Sequence, residues 1–328
     1  MNKYSIILPV RNGGAYLKEC VQSILRQTYP GFNLLVLDNC STDGTPQWIQ
    51  SLQDSRIVCY PAEIPLSIEE NWARIVSLPK NEFITLIGHD DILLPHYLEE
   101  MNRLIEKHPE ASLYQSHFSY IDENGVFKSN CKPMDEVQYG HEFLACQLAR
   151  TIDSTGTGYL MRSKDYDAIG GLPADYPNLI FADYKTWVSL SLKTYKATSS
   201  KLCFQYRLHN SVSKQTNGQA YLVAFEKYAY FLAALRKENG FVNDVLERYG
   251  YEMLMYYCES LSHRVLKTPA ADRHIKVAEL IARFETIAPQ LIPGQAFNPS
   301  ARFRISIAKT LDSNATTRVM FQLFKKMI

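Results

Sequence analysis

The sequence predicts an α/β fold, a mostly parallel sheet flanked by helices, with a helical C-terminal region. Two observations carry that reading. Over the first hundred residues, short apolar runs alternate with segments whose apolar residues recur at helical spacing, the β-α-β-α order of a parallel sheet covered on both faces. After Gln215 the strand signals fade, and long helical patterns rich in Tyr, Leu and Met take over. We therefore expect one domain over residues 1–214 and a helical extension over 215–328. The composition agrees, since 46% hydrophobic and 21% charged residues in a chain of 328 is ordinary globular usage.

The elements follow in order. Residues 5–10 are a short apolar strand. Leu17, Cys20, Val21, Ile24 and Leu25 place a helix over 16–27. Residues 32–37 form the next strand, ending at Asp38, and 44–52 a helix with Asp43 near its start. A third strand spans 56–60, a helix 68–78, a strand 83–87 and a helix 95–108. Residues 112–121 read as a strand, and Asp122-Glu123-Asn124-Gly125 as a turn before Val126-Phe127. A helix over 139–150 precedes the small-residue loop Ser154-Thr155-Gly156-Thr157-Gly158 and the run Tyr159-Leu160-Met161. Asp183 opens a helix through 193, and 198–208 is a final strand pair or edge. Helices then span 221–237, 243–267 and 270–287. Pro289, Pro293 and Pro299 mark a break before the basic, partly apolar segment 301–328.

Several function classes are disfavoured at once. A formal net charge of +1 supplies no global field for nucleic acid. No apolar run reaches the roughly 18 residues of a membrane span. The N-terminus shows no cleavage-site pattern, so no signal peptide is expected. The seven cysteines are scattered, with no CxxC pair, which points to free thiols in a reducing, cytoplasmic setting and away from zinc.

The chemistry gathers at strand ends. Gly88-His89-Asp90-Asp91 follows the run Phe83–Ile87. In open α/β sheets ligands bind at the carboxyl ends of strands. Two adjacent carboxylates repel unless a cation or a proton intervenes. A hard divalent ion, with substrate phosphates as further ligands, suits them. A helix cap at Asp91 explains the same residues, and the residues alone leave both readings open. Asp38, also at a strand end, can accept a hydrogen bond from a ribose hydroxyl or a base N–H. Ser41, Thr42 and Asp43 read as cap and turn residues. Leu8-Pro9-Val10-Arg11-Asn12-Gly13-Gly14 permits close backbone approach to a ligand but carries neither a dinucleotide fingerprint nor a Walker A pattern.

Taken together, Pro9-Val10-Arg11-Asn12, Asp38-Asn39-Cys40-Ser41-Thr42-Asp43-Gly44-Thr45 and Gly88-His89-Asp90-Asp91 resemble the family 2 glycosyltransferases, nucleotide-sugar-dependent enzymes of the GT-A fold. The likeness runs over residues 3–213. Phe181-Ala182-Asp183-Tyr184-Lys185-Thr186-Trp187 resembles the family's E-D-x-x-x-W region. Tyr206-Arg207-Leu208-His209-Asn210-Ser211-Val212-Ser213 resembles the Y-R-x-H-x-x-S stretch that closes its catalytic domain.

The resemblance implies inverting transfer of a sugar from a nucleoside-diphosphate sugar, by default a UDP-sugar. The acceptor is a hydroxyl of a glycan or lipid-linked molecule in bacterial cell-surface polysaccharide synthesis. It implies that Pro9, Val10, Arg11, Asn12 and Asp38 hold the nucleoside and that Asp90 orients the sugar or ribose side. Asp91 becomes the direct ligand of Mn²⁺ or Mg²⁺, joined by His209, while Arg207 neutralises phosphate and Ser211 and Ser213 are weaker candidates. Asn71 and Arg74 become nucleotide contacts, the other reading being an exposed surface pair. Asp183 becomes the general base, because an acceptor hydroxyl attacks poorly until its proton leaves; its other reading is a helix N-cap. Trp187, one turn on, packs beneath it or faces the acceptor sugar, core packing being the favoured reading. The small residues Thr155, Gly156 and Thr157 precede Arg162 in a region that shapes the sugar pocket.

Gly88 and Ala182 stand where many members carry acidic residues. They sustain a rival reading, a non-catalytic nucleotide-sugar-binding or scaffolding module of a polysaccharide assembly complex. For the tail three roles are expected as alternatives: covering the acceptor side, forming a homodimer surface or completing the core. Its basic, amphipathic end suits either peripheral contact with an anionic membrane or a packed helix with a solvated face.

Overall fold

The computed structural model describes residues 2–209, 212–269 and 272–327. Ser211 and the side chains of Ser213, Phe324, Lys325 and Lys326 lie outside the described residues.

The most apolar runs form the middle of the sheet. Strand β1 (Tyr4–Val10) is buried at every position and lies between β2 (Phe32–Asp38) and β4 (Phe83–Leu86), parallel to both. Strand β3 (Ile57–Cys59) extends the parallel set beyond β2. Helices α1 (Gly14–Leu25), α2 (Thr45–Ser51) and α3 (Ile68–Ala73) connect these strands. The buried residues of α1 are Leu17, Cys20, Val21 and Ile24, the predicted stripe. Helix α3 is shorter than expected and passes into a 3₁₀ turn at Arg74–Ser77.

The remaining elements are β5 (Ile92–Leu93), α4 (Tyr97–Lys107), β6 (Leu113–Asp122), β7 (Phe127–Asn130), β8 (Val137–Tyr139), α5 (Gly140–Ala149), β9 (Tyr159–Arg162), α6 (Ser163–Ala168), α7 (Ala182–Ser191) and β10 (Tyr195–Leu208). The sheet order is β3-β2-β1-β4-β9-β6-β10-β5, with β7 on β6 and β8 on β10. The sheet is thus mixed. Strand β9 inserts antiparallel between β4 and β6, and β10 runs parallel to β6. The expected final strand pair at 198–208 is one long strand, β10, with register shifts between Ser199 and Phe204. Because β1, β2 and β4 are parallel, Val10, Asp38 and the chain leaving Leu86 emerge at one sheet edge, beside the point where strand order reverses around β1.

Residues 1–143, 151–175 and 182–211 form a compact unit that contains the sheet, and residues 144–150, 176–181 and 212–328 form a second. The second unit is helical, with α8 (Val212–Gln215), α9 (Gly218–Glu238), α10 (Gly240–Lys267), α11 (Val277–Leu291), α12 (Phe303–Ser313) and α13 (Ala315–Met327). Asn217 and Asn239 cap α9 and α10, accepting from the N–H groups of Ala220 and Val242. Its core is aromatic: Phe225 stacks on Phe284 at 4.9 Å and Phe181 on Tyr228 at 5.5 Å. Pro289 does not stop α11 where expected, since the helix runs on to Leu291. A proline in the last turn costs a single backbone hydrogen bond, and the buried Ile287, Ala288 and Leu291 hold the turn in place. Among the described residues no helix is long and apolar enough to cross a membrane.

Candidate active site

The loops after β1 and β2 are laced together. Asn39 N–H donates to the Val10 carbonyl at 2.8 Å. Asn12 N–H donates to Ser41 Oγ at 2.8 Å, and Thr42 N–H returns a bond to Asn12 Oδ1 at 2.8 Å. Asp43 accepts from the N–H groups of Gly14 and Thr45. Asn12 adopts φ 53° to make this exchange. Pro9 and Val10 are buried strand residues, whereas Arg11 and Asn12 are exposed.

Asp38 sits beneath this lacing, 6% exposed. Its Oδ2 accepts from Ser41 N–H at 3.1 Å, but Oδ1 is buried with no hydrogen-bond partner. An unpaired buried carboxylate oxygen is costly, and a ligand N–H or O–H would satisfy it. Asn71 and Arg74, expected as nucleotide contacts, serve the protein's own backbone. Asn71 Nδ2 donates to the Leu37 carbonyl at 3.2 Å, and its Oδ1 accepts from Arg74 at 2.9 Å. Arg74 also donates to the carbonyls of Tyr60 and Pro61. The pair fastens the end of β2 to the chain leaving β3.

Beyond β4 the two carboxylates part company. Asp91 is 2% exposed. Its Oδ1 accepts from Arg207 N–H at 3.0 Å and its Oδ2 from the Thr157 hydroxyl at 2.7 Å. Burial first, then the neighbouring Asp90 charge, push its carboxyl well above the usual range. The following residues form β5 rather than a helix, so Asp91 is no cap. Asp90 is more open, and its Oδ2 accepts a 2.5 Å hydrogen bond from His209 Nε2. Burial works against its ionisation, but the His209 hydrogen bond and the neighbouring imidazoles outweigh it and hold the carboxyl below its ordinary value. Gly88 makes room for this arrangement: a Cβ there would lie 2.5 Å from Asp90 Oδ1.

Arg207, expected to neutralise phosphate, is 3% exposed. Its Nε donates to the Asp90 carbonyl at 2.8 Å and Nη1 to the carbonyls of Asp122 and Glu123, while Nη2 pairs with Glu19. Its guanidinium lies 4.6 Å from the Tyr16 ring centroid. It is a clamp that fixes the backbone at Asp90. Tyr16 closes the cluster, set edge-on to His209 at 5.7 Å and donating to the Glu123 carbonyl. Glu19 and Tyr16 carry no motif signal; their partners lie 188 and 107 residues away.

Asp183 lies in the first turn of α7, half-buried. Burial raises its carboxyl from 3.8 to about 6, against the pull of the Tyr184 backbone N–H. One turn on, Trp187 is fully buried, stacked on Tyr159 at 4.6 Å, and its Nε1 donates to the Thr155 carbonyl at 3.0 Å. The Thr155 hydroxyl donates to the Thr157 carbonyl at 2.8 Å. A continuous set of bonds therefore runs from Asp91 through Thr157 and Thr155 to the helix that carries Asp183. Tyr206 lies within electrostatic reach of Asp90, Asp91 and Asp183 together.

Among the described residues no three His, Cys, Asp or Glu side chains converge as a metal cage. Asp90 and His209 supply a hard carboxylate and an imidazole. That set fits an ion such as Mn²⁺ or Mg²⁺, which takes one or two protein ligands and completes its shell with phosphate and water.

Residues 5–170 match the model of Glycosyl transferase family 2. WfaP of Escherichia coli, a UDP-Glc:α-D-GlcNAc-diphosphoundecaprenol β-1,3-glucosyltransferase, is 24% identical over 221 residues, 64% of this chain and 78% of that protein. Some other curated relatives are matched over less than half of their length. The S. aureus TarS 1–349 structure with UDP-GlcNAc is similar in fold, with a TM-score of 0.67 at 14% identity over 99% of this chain and 92% of that one. The mannosyltransferase PcManGT of Pyrobaculum calidifontis, solved with GDP-Man and Mn²⁺, gives 0.52 at 13% identity over 99% and 88%. With half its length matched by the family model, and with strand-end carboxylates set in a GT-A sheet, this chain belongs to glycosyl transferase family 2.

Proposed function

We propose that this glycosyltransferase moves a sugar from a UDP-sugar to a hydroxyl of a glycan or lipid-linked acceptor with inversion, assisted by a divalent cation, in the synthesis of a cell-surface polysaccharide. One observation carries the reading: an ionisable carboxylate raised to about 6, Asp183, is tied by hydrogen bonds to the strand end that bears the Asp90–His209 pair. The WfaP name and the TarS complex support a uridine nucleotide and, for WfaP, a lipid-diphosphate acceptor. The PcManGT complex supports Mn²⁺.

The geometry supports the following roles. The unpaired Oδ1 of Asp38 receives an N–H of the base or a ribose hydroxyl. Asp90, with His209, would hold the cation, and Asp91 supports them from behind. The bound ion would offset charge on the departing diphosphate. Asp183 takes the proton of the acceptor hydroxyl as its oxygen attacks the anomeric carbon from the face opposite the leaving group. A scaffolding module would need no carboxylate poised near neutrality.

A lipid-linked acceptor implies a membrane surface, and the second unit carries residues suited to one. Phe303 is 75%, Met320 65% and Leu323 57% exposed, on two helices within a segment that holds six basic residues from Arg302 to Lys326 and one acidic residue, the buried Asp312. Arg302 and Arg304 already face Glu252 and Glu259, so insertion of the apolar side chains would carry much of the contact. We propose peripheral docking of α12 and α13 on an anionic cytoplasmic face.

Replacing Asp183 by Asn should leave donor binding intact and lower transfer by roughly 10²–10⁴-fold; turnover equal to the parent's would end the assignment. In the parent, kcat/KM should fall about tenfold per pH unit below about 6, because the base works only when ionised. Asp90→Ala should weaken UDP binding only when Mn²⁺ is present. Asp91→Ala should instead lower the melting temperature with or without Mn²⁺, since it orphans the Thr157 hydroxyl and the Arg207 N–H. Identical metal-dependent losses in both variants, with no change in melting, would end this division of roles. In flotation with phosphatidylglycerol vesicles, the full chain carrying Phe303→Ser, Met320→Ser and Leu323→Ser should stay in solution while the parent floats; equal partitioning would refute docking through these helices.

A further inference from the structure

We propose that Gly156 is the opening through which the acceptor hydroxyl reaches Asp183, and that its missing side chain sets how bulky an acceptor can be. The inference rests on Asp183 being the base. A Cβ built at Gly156 would lie 3.6 Å from Asp183 Oδ2, with no other heavy atom outside its chain neighbours within 4 Å. Open space therefore adjoins the base oxygen on the side of residue 156. A hydroxyl donating to that oxygen must approach to about 2.7 Å, and a methyl group in van der Waals contact there would take part of the volume the approach needs.

The loop has little freedom to retreat. Thr155 and Thr157 are both buried, and they are bonded to Trp187 and Asp91. Gly158 N–H donates to the Leu86 carbonyl at 3.0 Å, and its own α-carbon is crowded by the Phe204 ring, 2.8 Å from where a Cβ would sit. Asp183 is held from the other side by α7, whose Trp187 is anchored to the same loop. The backbone at Gly156 is outside the left-handed region, so a side chain there brings no backbone strain.

The size argument separates two nucleophiles. In either case the attacking oxygen forms the new bond to the anomeric carbon. The bond to the diphosphate breaks with its electron pair, and the proton passes to Asp183. Water brings only itself into the opening, whereas a sugar hydroxyl brings a ring carbon and its substituents. Filling the opening should therefore suppress transfer more than donor hydrolysis.

The test uses the full chain with Gly156→Ala and Gly156→Val. UDP-Glc serves as donor and an α-D-GlcNAc-diphosphate lipid as acceptor, with UDP release in the absence of acceptor as the hydrolysis readout. For the alanine variant, kcat/KM for the acceptor should fall roughly 10–200-fold, the range for one methylene-sized misfit, and further for valine. Hydrolysis and UDP affinity should stay within about threefold of the parent, which is under ~1 kcal/mol. Transfer unchanged in both variants, or transfer and hydrolysis falling in parallel, would overturn the proposal. Asp183→Asn run alongside separates the two readings, because transfer that survives there removes the base itself.

Discussion

The active edge depends on one buried carboxylate. Asp91 accepts a backbone N–H from β10 and a hydroxyl from the 154–158 loop, and so joins three segments that are distant in sequence. A carboxyl so well buried is tolerable only with such partners. With Asp91 in place, its neighbour Asp90 is turned toward His209 at the ligand edge. The loop that holds Thr157 also holds Trp187, and with it the helix of Asp183. The Asp90–His209 pair and Asp183 are thus positioned by one set of hydrogen bonds.

This division of labour explains why two adjacent acidic residues need not share a role. His89 and Asp90 form a turn closed by the Asp91 N–H on the Gly88 carbonyl, and the two carboxylates leave it in different directions. Asp91 points inward, where burial raises its carboxyl, and the more open Asp90 faces His209. Gly88 supports the outward one, because a side chain at that position would press on the Asp90 carboxylate. The glycine that looked like a missing ligand is compatible with a working site. Arg207 works in the same way, spending its donors on carbonyls and Glu19 to hold the Asp90 backbone rather than meeting phosphate directly.

Much of this was legible from local pattern. The apolar runs that became β1, β2 and β4 end at Val10, Asp38 and Gly88, so the chemistry-bearing edge follows from where hydrophobicity stops. The family likeness rests on those same ends and on Asp183. Legibility failed where partners are remote. The inward turn of Asp91 is decided by Thr157, 66 residues on, and by Arg207, 116 residues on. Arg207 is decided by Glu19, 188 residues away. The mixed sheet was equally hidden, because whether β9 inserts antiparallel beside β4 depends on pairing between segments some 75 residues apart rather than on anything in Tyr159–Arg162 itself. Asn71 and Arg74 share a helical face as expected, but that face looks onto backbone carbonyls.

The central claim is that Asp90 faces the diphosphate and its cation while Asp91 is structural support. The most direct measurement is a crystal structure with UDP and Mn²⁺, the ion located by its anomalous scattering. The account predicts a cation ligated by the Asp90 carboxylate and the diphosphate, with Asp91 still bonded to Thr157 and Arg207. A cation ligated by Asp91, with its bonds to Thr157 and Arg207 broken, would contradict it.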